Sequence, residues 1–96
     1  MRHTYIITYD IADPKRLRKV YQMMRGWGDH LQLSVFECDL NPQERVELEA
    51  ELTALVNHHQ DQVLFILLGP SRGRGSRAIS AIGARYIAPE RGAIVV

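Results

Sequence analysis

The fold is decided by one stretch, Thr4-Tyr5-Ile6-Ile7-Thr8-Tyr9, which is followed at once by Asp10. β-Branched and aromatic residues are enriched in β-strands, so this stretch predicts a strand. Its apolar side chains fall on both faces, which is typical of a central strand. Asp10 is therefore predicted to stand where the sheet, rather than a loose loop, fixes its position.

A helix is predicted directly after this strand. Asp13-Pro14 is typical of an N-cap followed by the first helical residue. The apolar residues that follow at helical spacing are Leu17, Val20, Tyr21 and Met24. The segment from Gly26 to Asp29 is predicted to end this helix.

The stretch from Leu31 to Leu40 predicts either one long strand or two short strands bent near Leu33-Ser34, and we favour the bent hairpin. A second helix is predicted to open at Asn41-Pro42, where Asn41 caps and Glu44 can reach back in a capping box. Its predicted buried stripe comprises Leu48, Leu52, Leu55 and Val56. A continuous apolar strand from Gln62 to Gly69 completes the pattern.

The order of these elements predicts a ferredoxin-like βαββαβ fold of the α+β class, an antiparallel sheet with both helices on one face. Two further strand candidates, Ala78–Ile82 and Ala93–Val96, have no place inside such a sheet. Its open face and edges invite pairing with another chain. We therefore expect one domain over residues 1–96, in which residues from about 78 to 96 pack on the partner subunit of a homodimer.

The composition favours a cytoplasmic protein that does not enter a membrane. The single cysteine, Cys38, excludes an internal disulfide, which fits a reducing compartment. The longest apolar run, Val63 to Leu68, is too short to cross a bilayer. The start of the chain, from Met1 to Thr4, leads into the first strand with no cleavable signal.

The charge is spread unevenly although the net charge is only +1. Residues 1–36 carry six Lys or Arg and three Asp, residues 37–61 carry one Arg and seven Asp or Glu, and residues 62–96 carry five Arg and one Glu. Basic ends around an acidic middle suggest a face that meets phosphate. The alternative is charge that serves solubility alone.

Asp10 is the main candidate for chemistry, because a rigidly placed carboxylate suits catalysis or metal binding. The competing interpretation is ordinary turn chemistry at a strand end. One carboxylate is a poor site for a hard cation, but the two-fold axis of a dimer could supply a second Asp10. Asp13 is nearby, and its predicted role is the helix N-cap.

Two groups of basic residues are candidates for phosphate contacts. The first lies on the first helix and comprises Lys15, Arg16, Arg18 and Lys19. The second lies in a glycine-rich stretch and comprises Arg72, Arg74 and Arg77. Arginines spaced by glycine suit an arm along a phosphate backbone, and the alternative for this stretch is a solvated linker.

The chain resembles the CRISPR-associated protein 2 family, small adaptation proteins of bacterial and archaeal CRISPR systems. The resemblance covers almost the whole chain. The residues that carry it are Tyr9-Asp10-Ile11, Asp13, Arg16, Arg18, the run Leu33-Ser34-Val35-Phe36-Glu37-Cys38-Asp39-Leu40 and the strand from Val63 to Leu68.

The resemblance implies a ferredoxin-like homodimer in which the last strand of each chain joins the partner's sheet. It implies that Asp10 and its dimer mate hold Mg²⁺, or Mn²⁺ in its place. Some members of the family are metal-dependent nucleases for single-stranded RNA or double-stranded DNA. Many are scaffolds that bridge two dimers of the integrase, CRISPR-associated protein 1, on the DNA that becomes a new spacer.

Four functions follow as alternatives. The first is phosphodiester hydrolysis, with Asp10 as catalytic and metal-binding residue and a set of arginines on the nucleic acid, namely Arg16, Arg18, Arg72, Arg74 and Arg77. The second is a non-catalytic scaffold between integrase dimers. The third is an RNA-cleaving toxin of the virulence-associated protein D type, and the fourth a regulatory dimer that binds no nucleic acid.

Overall fold

The computed structural model describes residues 1–72 and 79–84. Its element order is β1 (His3–Asp10), α1 (Pro14–Arg25), β2 (Asp29–Gln32), β3 (Val35–Leu40), α2 (Pro42–Leu55) and β4 (Gln62–Pro70). The four strands form one antiparallel sheet in the order β2-β3-β1-β4. The predicted ferredoxin-like α+β fold is confirmed, including the interior position of β1 and the hairpin that bends between Gln32 and Val35.

Both helices begin as their local sequences predict. The Asp13 carboxylate accepts a hydrogen bond from the Arg16 amide at 2.9 Å, so Asp13 is the N-cap of α1. At the start of α2, the Asn41 side chain accepts from the Glu44 amide at 2.8 Å and the Glu44 side chain accepts from the Asn41 amide at 2.9 Å. This capping box satisfies two N–H groups that the helix itself leaves without partners.

One face of the sheet and the two helices share a single core. The buried residues of this core are Ile7, Tyr9, Ile11, Val20, Met24, Phe36, Cys38, Leu40, Leu48 and Leu52. Of the stripe predicted on α2, Leu48 and Leu52 are buried, and Leu55 and Val56 are partly buried against the same core. Both helices therefore cover the same face.

The opposite face of the sheet is apolar and partly open. Ile6 of β1 lies opposite Ile66 of β4 in the strand register, and Leu64 and Ile66 remain 46% and 44% exposed. Ile79 and Ile82 join Ile6 among the residues that line a cavity of about 720 Å³. The early C-terminal segment thus borders a cavity on the face that the helices leave uncovered, and Ile82 remains fully exposed there.

Residues 79–84 form no strand in the single chain. The strand predicted at Ala78–Ile82 is therefore absent over its described part, where the segment pairs with neither of the edge strands β2 and β4. The predicted strand at Ala93–Val96 lies outside the described residues. Pairing of this region with a partner subunit stays a prediction.

A polar cluster fixes the end of the sheet where β4 stops. Arg2 forms ion pairs with Asp39 at 3.2 Å and with Glu44 at 2.9 Å. Ser71 hydrogen-bonds to Asp39 through its hydroxyl, and its amide donates to the Arg2 carbonyl at 3.1 Å.

Among the residues described, neither helix is long and apolar enough to span a membrane.

Candidate metal and nucleic-acid site

Asp10 is the last residue of β1 and its side chain is exposed. It lies opposite Gln62, the first residue of β4, so the interior of the sheet holds its backbone on that side. On the other side, the Tyr9 amide donates to the Ser34 carbonyl in the β2–β3 turn at 3.1 Å. The carboxylate therefore projects from a rigid base at the sheet end that also carries the N-terminus of α1.

The loop between β1 and α1 is fixed at each of its three residues. Ile11 is buried, at 8% exposure. The Ala12 amide donates to the Asp61 carboxylate at 2.9 Å, and Asp13 caps α1. Asp10 thus precedes a loop that is anchored rather than mobile.

The anchor is Asp61, whose side chain has no exposed surface. Its two oxygens accept hydrogen bonds from Arg16 Nε at 2.7 Å and Arg16 Nη2 at 3.1 Å. They also accept from the backbone amides of Ala12 at 2.9 Å and Asn57 at 2.8 Å. One carboxylate therefore joins the β1–α1 loop, α1 and the turn before β4.

These contacts set the protonation state of Asp61. The Arg16 hydrogen bonds above all, supported by those from the Ala12 and Asn57 amides, hold the pKa of Asp61 well below its usual range. Burial alone would raise that pKa, and the donors outweigh it. In turn, the hydrogen bond to Asp61 raises the pKa of Arg16, so both groups stay charged.

The two arginines predicted on α1 differ in their surroundings. Arg16 is directed at Asp61 and also donates to the Gln60 side chain at 3.2 Å, and its side chain is only 22% exposed. Arg18 is exposed, and within residues 1–72 and 79–84 no ion pair engages it. Of the two, Arg18 is the one whose charge faces solvent.

The second basic group is separated from Asp10 along the sheet. Arg72 follows the C-terminal end of β4, which lies beside His3 at the start of β1. Asp10 lies seven residues further along β1, which corresponds to roughly 23 Å of extended strand. Arg74 and Arg77 lie outside the described residues. Within one chain the structure therefore separates Asp10 from Arg72, whereas Arg18 lines a cavity together with Tyr9, the residue before Asp10.

In residues 1–72 and 79–84, a single chain supplies one carboxylate free of a cap or ion pair, that of Asp10, to this end of the sheet. Asp13 caps α1 and Asp61 binds Arg16, so neither is available as a metal ligand without loss of those contacts. Over the residues described, no three His, Cys, Asp or Glu side chains come together in a way that could hold a metal ion. Mg²⁺ is commonly bound by one or two carboxylates together with water and phosphate oxygens. Asp10 from each of two copies fits that donor set.

At Tyr9, the residue before Asp10, a cavity of about 410 Å³ opens between α1 and the β2–β3 turn. Its lining includes Tyr9, Arg18, Tyr21 and Ser34. The Tyr9 hydroxyl is buried and has no hydrogen-bond partner in the described part of the chain. Burial, and then the neighbouring Tyr21, raise the pKa of Tyr9, so its hydroxyl stays protonated.

Comparison with known proteins identifies the family. The sequence profile of the family described as CRISPR associated protein Cas2 matches residues 2–72. The chain is 38% identical over 94 residues to CRISPR-associated endoribonuclease Cas2 1 of Rhodospirillum rubrum, covering 98% of this chain and 91% of that protein. It is 38% identical over 96 residues to CRISPR-associated endoribonuclease Cas2 of Geobacter sulfurreducens, covering 100% of both chains.

A solved structure agrees with this assignment. The crystal structure of Streptococcus pyogenes Cas2 at pH 6.5 superposes with a TM-score of 0.71 at 32% sequence identity, covering 83% of this chain and 99% of that chain. The protein belongs to the Cas2 family. The resemblance read from Tyr9-Asp10-Ile11 and the Leu33–Leu40 run is confirmed.

Asp61, which lies between α2 and β4, is not among the residues that the sequence predicts for the site. Its partner Arg16 lies 45 residues earlier, so no local pattern links the two. A signal was nevertheless available. In an antiparallel pair, the residue that precedes β4 must lie beside the residues that follow β1. The predicted topology therefore placed Asp61 next to the Asp10 loop.

Proposed function

We propose that the protein is a CRISPR adaptation protein that acts as a homodimer, binds nucleic acid and hydrolyses phosphodiester bonds in single-stranded RNA or double-stranded DNA. The observation that carries the proposal is the exposed Asp10 carboxylate on a rigid strand end, directly after Tyr9, which lines a cavity together with the exposed Arg18. The names of the Rhodospirillum and Geobacter relatives support a nuclease.

The proposed site forms between two copies of the chain. The apolar sheet face with Ile6, Leu64 and Ile66 is the surface that a second copy would cover, because exposed apolar patches of this kind mark protein contacts. A two-fold axis there would turn the two sheets towards each other and bring two Asp10 carboxylates to one site. The C-terminal segment would complete the contact.

The chain's own residues would divide the work as follows. Asp10 from each subunit would hold Mg²⁺ or Mn²⁺. When bound, such a cation lowers the pKa of attacking water and stabilises charge on the phosphate. Arg18 would neutralise the neighbouring phosphate backbone. Arg72, at the far end of the sheet, would also contact nucleic acid, as would Arg74 and Arg77, which follow it in the sequence. A long substrate would then cross the dimer rather than bind at one point.

The test compares the full-length protein with Asp10→Asn on labelled single-stranded RNA and double-stranded DNA. We expect cleavage with Mg²⁺, none with EDTA, and a loss of about 100-fold or more in Asp10→Asn, the scale of removing one electrostatic contact from a transition state. Glu49→Gln is the matched control, because it also converts a carboxylate to an amide but on an exposed i,i+4 ion pair of α2. Cleavage by Asp10→Asn at the wild-type rate would exclude the catalytic role.

A scaffold function is the second candidate, and one observation favours it. Within the described residues, Asp10 has no companion carboxylate that is free of other contacts, and no clear general base stands beside it. In this case the dimer would bridge CRISPR-associated protein 1 integrase dimers on the DNA of a new spacer. Spacer acquisition that survives Asp10→Asn, while cleavage is lost, would make the scaffold the biological role.

A further inference from the structure

We propose that Asp61 is a positioning residue: its buried carboxylate locks the β1–α1 loop and thereby sets the place of Asp10. In this proposal the Arg16 guanidinium belongs to the lock and is not a substrate contact. The effect on cleavage rests on the proposed function, whereas the effect on the loop does not.

The geometry of Asp61 supports a lock because its hydrogen bonds come from three separate segments. Arg16 lies on α1, Ala12 lies in the loop, and Asn57 lies in the turn that follows α2. The fork of Arg16 matches the carboxylate with two parallel hydrogen bonds, which fix orientation as well as distance. A carboxylate with no exposed surface that accepts four hydrogen bonds is also costly to disturb.

The connection from Asp61 to Asp10 is short. Ala12 is two residues from Asp10, and Gln62, which directly follows Asp61, lies opposite Asp10 in the sheet. Asp61 therefore holds Asp10 from both sides, through the loop after β1 and through the start of β4. Misplacement of a reacting group by about 1 Å can cost about 100-fold in rate, so a loosened loop would impair cleavage without removing any ligand.

The first readout needs no activity. In the full-length protein, the amides of Ala12 and Asn57 should be protected from hydrogen exchange. Asp61→Asn keeps the side-chain shape but cannot accept hydrogen bonds with its amide nitrogen. We expect at least one of the two amides to exchange about tenfold faster, and the Asp10 carboxyl ¹³C resonance to shift. If both amides and the resonance are unchanged, the lock is refuted.

The second readout separates positioning from substrate contact. Asp61→Asn and Arg16→Gln should lower kcat about 10- to 100-fold and leave KM for nucleic acid within about twofold. The double variant should be no worse than either single variant, because both remove one unit. Arg16→Lys keeps the charge but loses the fork, so it should restore little of kcat. Glu49→Gln again serves as the control for loss of an exposed ion pair.

Two results would overturn the proposal. One is an Asp61→Asn variant that cleaves at the wild-type rate. The other is an Arg16→Gln variant with a raised KM and a weaker salt dependence of nucleic-acid binding, when Asp61→Asn changes neither quantity. That result would make Arg16 a phosphate contact. If the wild type does not cleave at all, the proposed function fails instead, and the exchange and ¹³C measurements alone decide on the lock. Should Asp61→Asn not fold, the same readouts on Arg16→Gln, whose side chain reaches the surface, decide the matter.

Discussion

Replacing Gly28 by alanine should destabilise the protein strongly, although the residue lies in a turn between α1 and β2. A Cβ atom at this position would lie 2.5 Å from Cys38 Sγ and 2.5 Å from the Glu37 carbonyl oxygen. Cys38 is fully buried, so its sulfur has no free space to move into. Glu37 is in register with Ile6 on one side and Asp29 on the other, so its backbone is held within the sheet.

The expected cost follows from these distances. Overpacking a filled site costs about 1–3 kcal/mol, and two contacts with fixed atoms place Gly28→Ala near the upper end, at about 3 kcal/mol. A change of 1 kcal/mol shifts Tm by about 4–8 °C in a domain of this size, so Tm should fall by about 12–24 °C. Trp27 is the only tryptophan of the chain and lies next to the substitution, which makes its fluorescence a direct probe of urea unfolding.

Gly26→Ala is the matched control for this experiment. A Cβ at Gly26 would lie 3.4 Å from the Met23 carbonyl oxygen, an ordinary contact, so its effect should stay within about 1 kcal/mol. In a Cys38→Ala background the sulfur contact disappears and the carbonyl contact remains. Gly28→Ala should then cost less but still destabilise. All variants are compared at one protein concentration, because the proposed dimer would make Tm depend on it. Equal stability of Gly28→Ala and Gly26→Ala would refute the reasoning.

Three further predictions follow from the described contacts. Asp61 has a lowered pKa in the folded state, so its contribution to stability is present above the unfolded value of about 3.9 and is lost as pH falls through the folded value. Below about pH 4, the free energy of unfolding measured with urea should therefore fall less steeply with pH in Asp61→Asn than in the wild type. The difference in slope should correspond to the uptake of up to about one proton on unfolding. Equal slopes in the two proteins would contradict the contacts assigned to Asp61. Arg18→Gln and Arg72→Gln should each weaken nucleic-acid binding and reduce the slope of log K against log salt by about 0.7–0.9, as titrations at several salt concentrations would measure, and an unchanged slope removes that arginine from the interface. Ile66→Asp should convert the proposed dimer to monomer in light scattering, whereas Val46→Asp, an exposed site on α2, should not; a stable Ile66→Asp dimer would place the interface elsewhere.

Much of the fold followed from local chemistry. The β-branched run of β1 and the caps at Asp13 and Asn41 need only neighbouring residues, and all three are formed. The Gly28 contact could not be predicted in the same way. It depends on how closely the turn after α1 approaches β3, and a short loop does not reveal that distance.

The arrangement of the candidate site likewise depends on contacts between distant parts of the chain. Asp10 is a candidate because a strand fixes its position, which the structure confirms, and because the family resemblance includes it, and its role stays a prediction. The separation of Arg72 from Asp10 depends on strand register, and the engagement of Arg16 by Asp61 joins residues 45 positions apart. Composition and spacing show which basic residues are close together in the sequence. Tertiary contacts decide which of their charges face solvent.

The most direct test of the proposed site is the number of metal ions that the dimer binds. Mn²⁺ titration of the full-length protein, followed by electron paramagnetic resonance, should give one ion for every two chains, because each chain contributes one Asp10. Asp10→Asn should bind none at this site, and Glu49→Gln should match the wild type. One ion for each chain, or unchanged binding by Asp10→Asn, would contradict a metal site shared between two Asp10 carboxylates.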